Sequence, residues 1–102
     1  MIQATIEIAV KKAQQSRCKY HVSAIGFDKR GRIVATARNY PRFNYEGGGV
    51  HAEMALLKKA GVRVRTLLLC RMNRIGVLKR IDPCPACQRV LDRMGIKVVR
   101  LE

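Results

Sequence analysis

His51-Ala52-Glu53 and, about thirty residues further on, Pro83-Cys84-Pro85-Ala86-Cys87 are the stretches whose residue types and spacing could do chemistry. An imidazole and two thiolates are three of the four ligands that a tetrahedral Zn²⁺ takes. A three-ligand site leaves one position open for water, as catalytic rather than structural zinc does. Glu53 stands two residues from the histidine, where a carboxylate can carry protons to and from that water. A lone C-x-x-C could be half of a zinc ribbon or a redox pair. A ribbon would need a second C-x-x-C, and the remaining cysteines, Cys18 and Cys70, stand alone.

The flanking residues predict that both motifs open helices. Val50 to Ala60 follows Gly47-Gly48-Gly49, is rich in helix formers and stops at Gly61, read as a C′ glycine. The stretch from Cys84 has Pro85 in its first turn and stops at Gly95. Cys84 and Cys87, at i and i+3, then share one face of the first turn. Two helix N-termini aimed at one metal should favour thiolate over thiol and lower both cysteine pKa values.

The remainder reads as one small α/β domain over residues 1–102. Ile2, Ile6, Ala9, Val10 and Ala13 recur at helical spacing, predicting an amphipathic helix near residues 2–15. HVSAIGF (21–27) and RIVATA (32–37) are strand-like runs joined by the turn Asp28-Lys29-Arg30-Gly31. RTLLLC (65–70) and IKVVRL (96–101) each follow a helix, as buried parallel strands do. The order is α-β-β-α-β-α-β.

Together H-A-E and P-C-x-x-C match the zinc nucleobase deaminase signature, and the chain resembles the cytidine deaminase-like superfamily along essentially its whole length. The resemblance implies a three-layer sandwich: a mixed four-stranded sheet with helices on both faces, its first two strands a hairpin and the later ones added in parallel. It implies Zn²⁺ held by His51, Cys84 and Cys87, Glu53 as proton shuttle, and Ala52 keeping bulk away from the site. Asn39, at the end of the second strand, is similar to the family's ribose-contacting asparagine. Many members continue with a further helix and strand where this chain ends, so a minimal core completed by self-association into a homo-oligomer is expected.

Charge bears on the substrate. The 102 residues carry a net charge of +14. Between Glu53 and Asp82 there is no acidic residue, while Lys58, Lys59, Arg63, Arg65, Arg71, Arg74, Lys79 and Arg80 all fall there. A polyanion rewards many cations because each neutralised phosphate releases counterions; the alternative is a solvated basic surface. Tyr40, Arg42 and Phe43, in the loop leading to H-A-E, interleave rings and guanidinium as a base-stacking platform would, or else cover a small core. His21 reads as a strand or surface residue rather than a ligand.

The resemblance leaves cytosine and adenine both open, since H-A-E occurs in tRNA adenosine deaminases and in several cytosine deaminases. Many free-cytidine enzymes carry C-A-E instead, so the sequence leans toward single-stranded DNA or RNA as substrate. Free (deoxy)cytidine or its nucleotide is the alternative, and a non-catalytic nucleic-acid-binding scaffold the second. With no apolar run of membrane-spanning length, no signal-peptide pattern and thiolate ligands suited to a reducing compartment, the expected location is the cytoplasm.

Overall fold

The computed structural model describes residues 3–15, 21–41, 49–73, 75–79 and 81–101. The helix α1 (Gln3–Gln14) is followed by the hairpin β1 (His21–Phe27) and β2 (Ile33–Arg38). Asp28 organises the hairpin turn: its Oδ1 accepts from the Arg30 and Arg32 amides, and Gly31 takes φ +79°. Two short strands, β3 (Tyr40–Pro41) and β4 (Gly49–Val50), pair with each other ahead of α2 (Ala52–Ala60). Then come β5 (Thr66–Met72), β6 (Leu78–Lys79), α3 (Pro85–Arg93) and β7 (Lys97–Leu101).

Apolar side chains on both faces of β1 and β5 fix the three layers. Ile25, Leu68, Cys70 and Met72 pack with Ala9 and Ala13 of α1. Val22, Ala24, Leu67 and Leu69 point the other way, onto Ala52, Ala55 and Leu56 of α2 and Leu91 of α3. The uninterrupted run of leucines is thus a strand read alternately into two cores. Gly26 marks the closest approach of sheet and helix. A Cβ there would stand 2.9 Å from Val64 Cγ2 and 3.2 Å from Leu56 Cδ2.

The sheet is mixed, but five-stranded rather than four-stranded. β5 lies antiparallel to β1, and the parallel addition expected of the later strands holds only between β5 and β7. The extra strand, β6, extends the far end of β5 at Arg71–Lys79 and Met72–Leu78. Its cause is Asn73, whose Oδ1 accepts from the Ile75 and Val77 amides at 3.1 and 2.9 Å, with Gly76 at φ +85°. Among the described residues no helix is long and apolar enough to cross a membrane.

The helix ends differ from one another. At Gly95 (φ +70°) the Gly95 amide donates to Asp92 O and the Ile96 amide to Leu91 O, with Ile96 and Leu91 in one core cluster. That is the Schellman arrangement the glycine predicts. Gly61 instead keeps a negative φ of −24° and runs on into a 3₁₀ turn, Gly61–Arg63, which corrects the C′ reading of that residue.

Candidate metal centre and the cavity beside it

Each motif places a ligand just before a helix rather than within its first turn. His51 is the N-cap of α2, with φ −69° and ψ 146°, and Cys84 is the N-cap of α3, with φ −63° and ψ 159°. Pro85 follows at the first helical position, where its missing N–H has no partner to lose. Cys84 Sγ accepts from the Cys87 amide at 3.4 Å, so the sulfur replaces the oxygen of an ordinary cap. Residues 50 and 84 were expected inside the helices. As a cap, Cys84 keeps its sulfur within 4.8 Å of the Cys87 sulfur.

His51 Nδ1 lies 3.3 Å from Cys87 Sγ and 3.5 Å from Cys84 Sγ, and the three ligand atoms all fall within 4.8 Å of one another. Bonds of about 2.3 Å to sulfur and about 2.0 Å to nitrogen, at a tetrahedral angle, require N···S separations of about 3.5 Å. The donor set fits Zn²⁺ in chemistry and in spacing: these residues are arranged to bind a metal ion. Glu53, in the first turn of α2, is buried at 3 % exposure and lies outside the three-ligand cluster.

The Cys87 thiol does not behave as the helix dipole alone suggests. Burial, reinforced by hydrogen bonding with Cys84 and by the negative charge of Glu53, pushes Cys87 up from 9.0 to about 12. Desolvation and crowding of negative groups outweigh the helix N-terminus, which corrects the lowering expected of Cys87. Two thiolates and a carboxylate at this spacing need a cation among them.

A cavity of about 240 Å³ opens beside the cluster. It is lined by His51, Ala52, Glu53 and Cys84 of the two motifs, by Asn39 and the charged Arg71 and Asp82, and by the apolar Val22 and Ile81. The Asn39 amide donates to Val22 O, and its Oδ1 accepts from the Val22 amide, both at 3.0 Å. This side chain therefore extends the hairpin ladder one step past Ser23–Arg38 and is held rigidly at the cavity wall. Asp82 is tied to Arg100 of β7 by an ion pair.

Ala52 and Asn39 both line this cavity. The side chains of Tyr40, Arg42 and Phe43, with Gly47, Gly48, Arg74, Arg80 and Cys18, fall outside the described residues. His21 is a strand residue opposite Met72 and no part of the metal cluster. Cys70 is fully buried between sheet and α1, its thiol raised by that burial. Val22, Arg71, Ile81 and Asp82 escaped sequence reading. Arg71 was one cation in a basic run, and only Asp82, directly before P-C-P-A-C, carried a positional signal.

A sequence profile for the cytidine and deoxycytidylate deaminase zinc-binding region matches residues 1–102. No curated protein matches the chain significantly in sequence. Among solved structures, cytidine deaminase from Burkholderia pseudomallei aligns over 100 % of this chain and 87 % of its own, at 19 % identity and TM-score 0.71. Cytidine deaminase from Mycobacterium tuberculosis aligns over 100 % and 86 %, at 22 % identity and TM-score 0.66. The dCMP deaminase of cyanophage S-TIM5 aligns over 98 % and 84 %, at 24 % identity and TM-score 0.65. At such identities the likeness is one of fold.

Proposed function

Because the chain belongs to the cytidine and deoxycytidylate deaminase family of zinc-dependent enzymes, we infer that it hydrolyses free (deoxy)cytidine or its monophosphate to the uracil compound and ammonia. The observation that carries this reading is the cavity of about 240 Å³ beside the ligand cluster, with Glu53 in its wall. Pockets for drug-sized ligands start at about 300 Å³, so the space suits one base and part of its sugar rather than a strand. The similar structures are named for enzymes of cytidine and dCMP, and one dCMP deaminase was solved with dCMP and dUMP. The nucleic-acid substrate read from the basic charge gains no such support.

His51, Cys84 and Cys87 would hold Zn²⁺, which supplies Lewis-acid activation of water near neutral pH. Glu53 takes the proton released from the attacking water and gives it to ring N3 of cytosine. It then passes a proton to the departing amine, so that water and cytosine balance to uracil and ammonia. Burial keeps solvent from competing for that proton. Asn39, its Oδ1 committed to Val22, orients the sugar, and Ala52 leaves room for the base edge beside the metal. Arg71 offers a cation to a 5′-phosphate. In the same reading self-association completes the walls, and free thiol ligands suit the cytoplasm.

Zinc-loaded protein incubated separately with cytidine, deoxycytidine, dCMP, a single-stranded oligonucleotide and tRNA tests this by ammonia release. Turnover of one of the three small substrates is expected. Turnover confined to a polynucleotide would overturn the substrate reading while leaving the zinc chemistry in place.

A further inference from the structure

Among the described residues β2 pairs only with β1, which makes it an edge of the sheet. At its C-terminal end Lys12 of α1, Arg38 of β2 and Lys59 of α2 surround a second cavity, of about 170 Å³ and floored by Ala37 and Ala55. It shares no lining residue with the cavity at the metal centre. Two buried alanines keep the floor low, so the cationic side chains rise around it as walls. Lys59 Nζ donates to Thr36 O at 2.7 Å, and Arg38 Nη1 meets Gln15 Oε1 at 3.5 Å, so two of the three cations are held in place.

Among the described residues no carboxylate lines this cavity. Lys12 is held below the ordinary lysine range by burial and by the charges of Lys59 and Arg38. Like charges gathered without a counter-ion destabilise one another, and an anion between them reverses the sign of the effect. A comparably basic cavity at the β1–β2 turn, lined by Lys29, Arg32, Arg63 and Arg65, already contains Asp28, paired with Arg32 at 3.3 Å.

We propose that the notch formed by Lys12, Arg38 and Lys59 binds a phosphate group. At about 30 Å³ per water the space takes several waters, and hence a five-atom oxyanion with its first hydration contacts. A guanidinium and two ammonium groups on three different elements present donors from three sides, which suits a tetrahedral anion better than a planar carboxylate. The phosphate can come from a small polyphosphate or from a nucleic-acid backbone. In the second case the notch is where the chain's basic charge becomes a specific contact.

Zinc-loaded protein is titrated with pyrophosphate by calorimetry, and with a fluorescent single-stranded oligonucleotide by anisotropy. Lys12→Gln/Lys59→Gln is compared with Lys29→Gln/Arg63→Gln, which removes the same charge from the compensated cavity. The first pair should weaken binding about tenfold or more, the size expected from losing charge-assisted hydrogen bonds. The second should weaken it no more than about twofold, through net charge alone. Binding of pyrophosphate alone identifies a small polyphosphate as the source, and binding of the oligonucleotide alone identifies a backbone. Lys12→Gln by itself leaves the Lys59–Thr36 bond intact and should show the same preference with a smaller loss. Equal weakening by both pairs, or saturable binding of neither probe, overturns the proposal.

Discussion

Glu53 and Cys87 lie close enough that the carboxylate alters the thiol. Glu53 raises the Cys87 thiol by its charge, yet it is not one of the three atoms grouped for a metal. Glu53→Gln should therefore keep stoichiometric zinc and the fold while turnover falls by about 10²–10⁴-fold, the usual worth of a positioned acid–base group. Metal analysis beside ammonia release checks this, and a variant that lost its zinc would make Glu53 a ligand. The metal-free protein has a pH signature of its own. In the fold Cys87 stays a thiol to about 12, whereas in the unfolded chain it ionises near its ordinary 9.0. A raised acid pKa contributes stability below the unfolded value and loses it as pH climbs toward the folded one. Thermal melts of the metal-free protein should thus fall from about pH 9 to about pH 12, and Cys87→Ala should remove part of that fall.

The elements show what patterning can carry and where it stops. The apolar run within Thr66–Met72 and the glycine at 95 are local signals, and both lead to the observed strand and Schellman end. His51, Cys84 and Cys87 were legible for the same reason, since each belongs to a short motif fixed by its neighbours in sequence. β6 was not legible, because Asn73 makes its turn through a side-chain oxygen inside a run that reads only as basic. Arg71 reaches the cavity through the pairing of β5 with β1, opposite Val22, and Ile81 through the irregular stretch ahead of α3, which no local spacing encodes. Gly26 looks like an unremarkable strand glycine until Val64 and Leu56 are seen above it. Gly26→Ala should cost about 1–3 kcal/mol by overpacking, read as a lower denaturant midpoint at unchanged slope.

At the scale of the whole molecule, a net charge of +14 surrounds a cavity sized for a small substrate. A neutral nucleoside does not feel that field, so kcat/KM for cytidine should stay flat between about 0.05 and about 0.5 M salt, while oligonucleotide binding falls steeply. Turnover that declines in parallel with oligonucleotide binding would place the substrate on the strand. The helix caps have a further consequence. His51 and Cys84 each open a helix, and the amides bonded back to their carbonyls belong to Ala55 and to Gln88, at 3.0 and 2.8 Å. Metal binding therefore clasps the starts of two helices that lie far apart along the chain but side by side in space. Withdrawing the metal should loosen both clasps together, so in deuterated solvent the Ala55 and Gln88 amides should exchange faster in step, while Ile25 and Leu68 in the sheet keep the protection of the global fold.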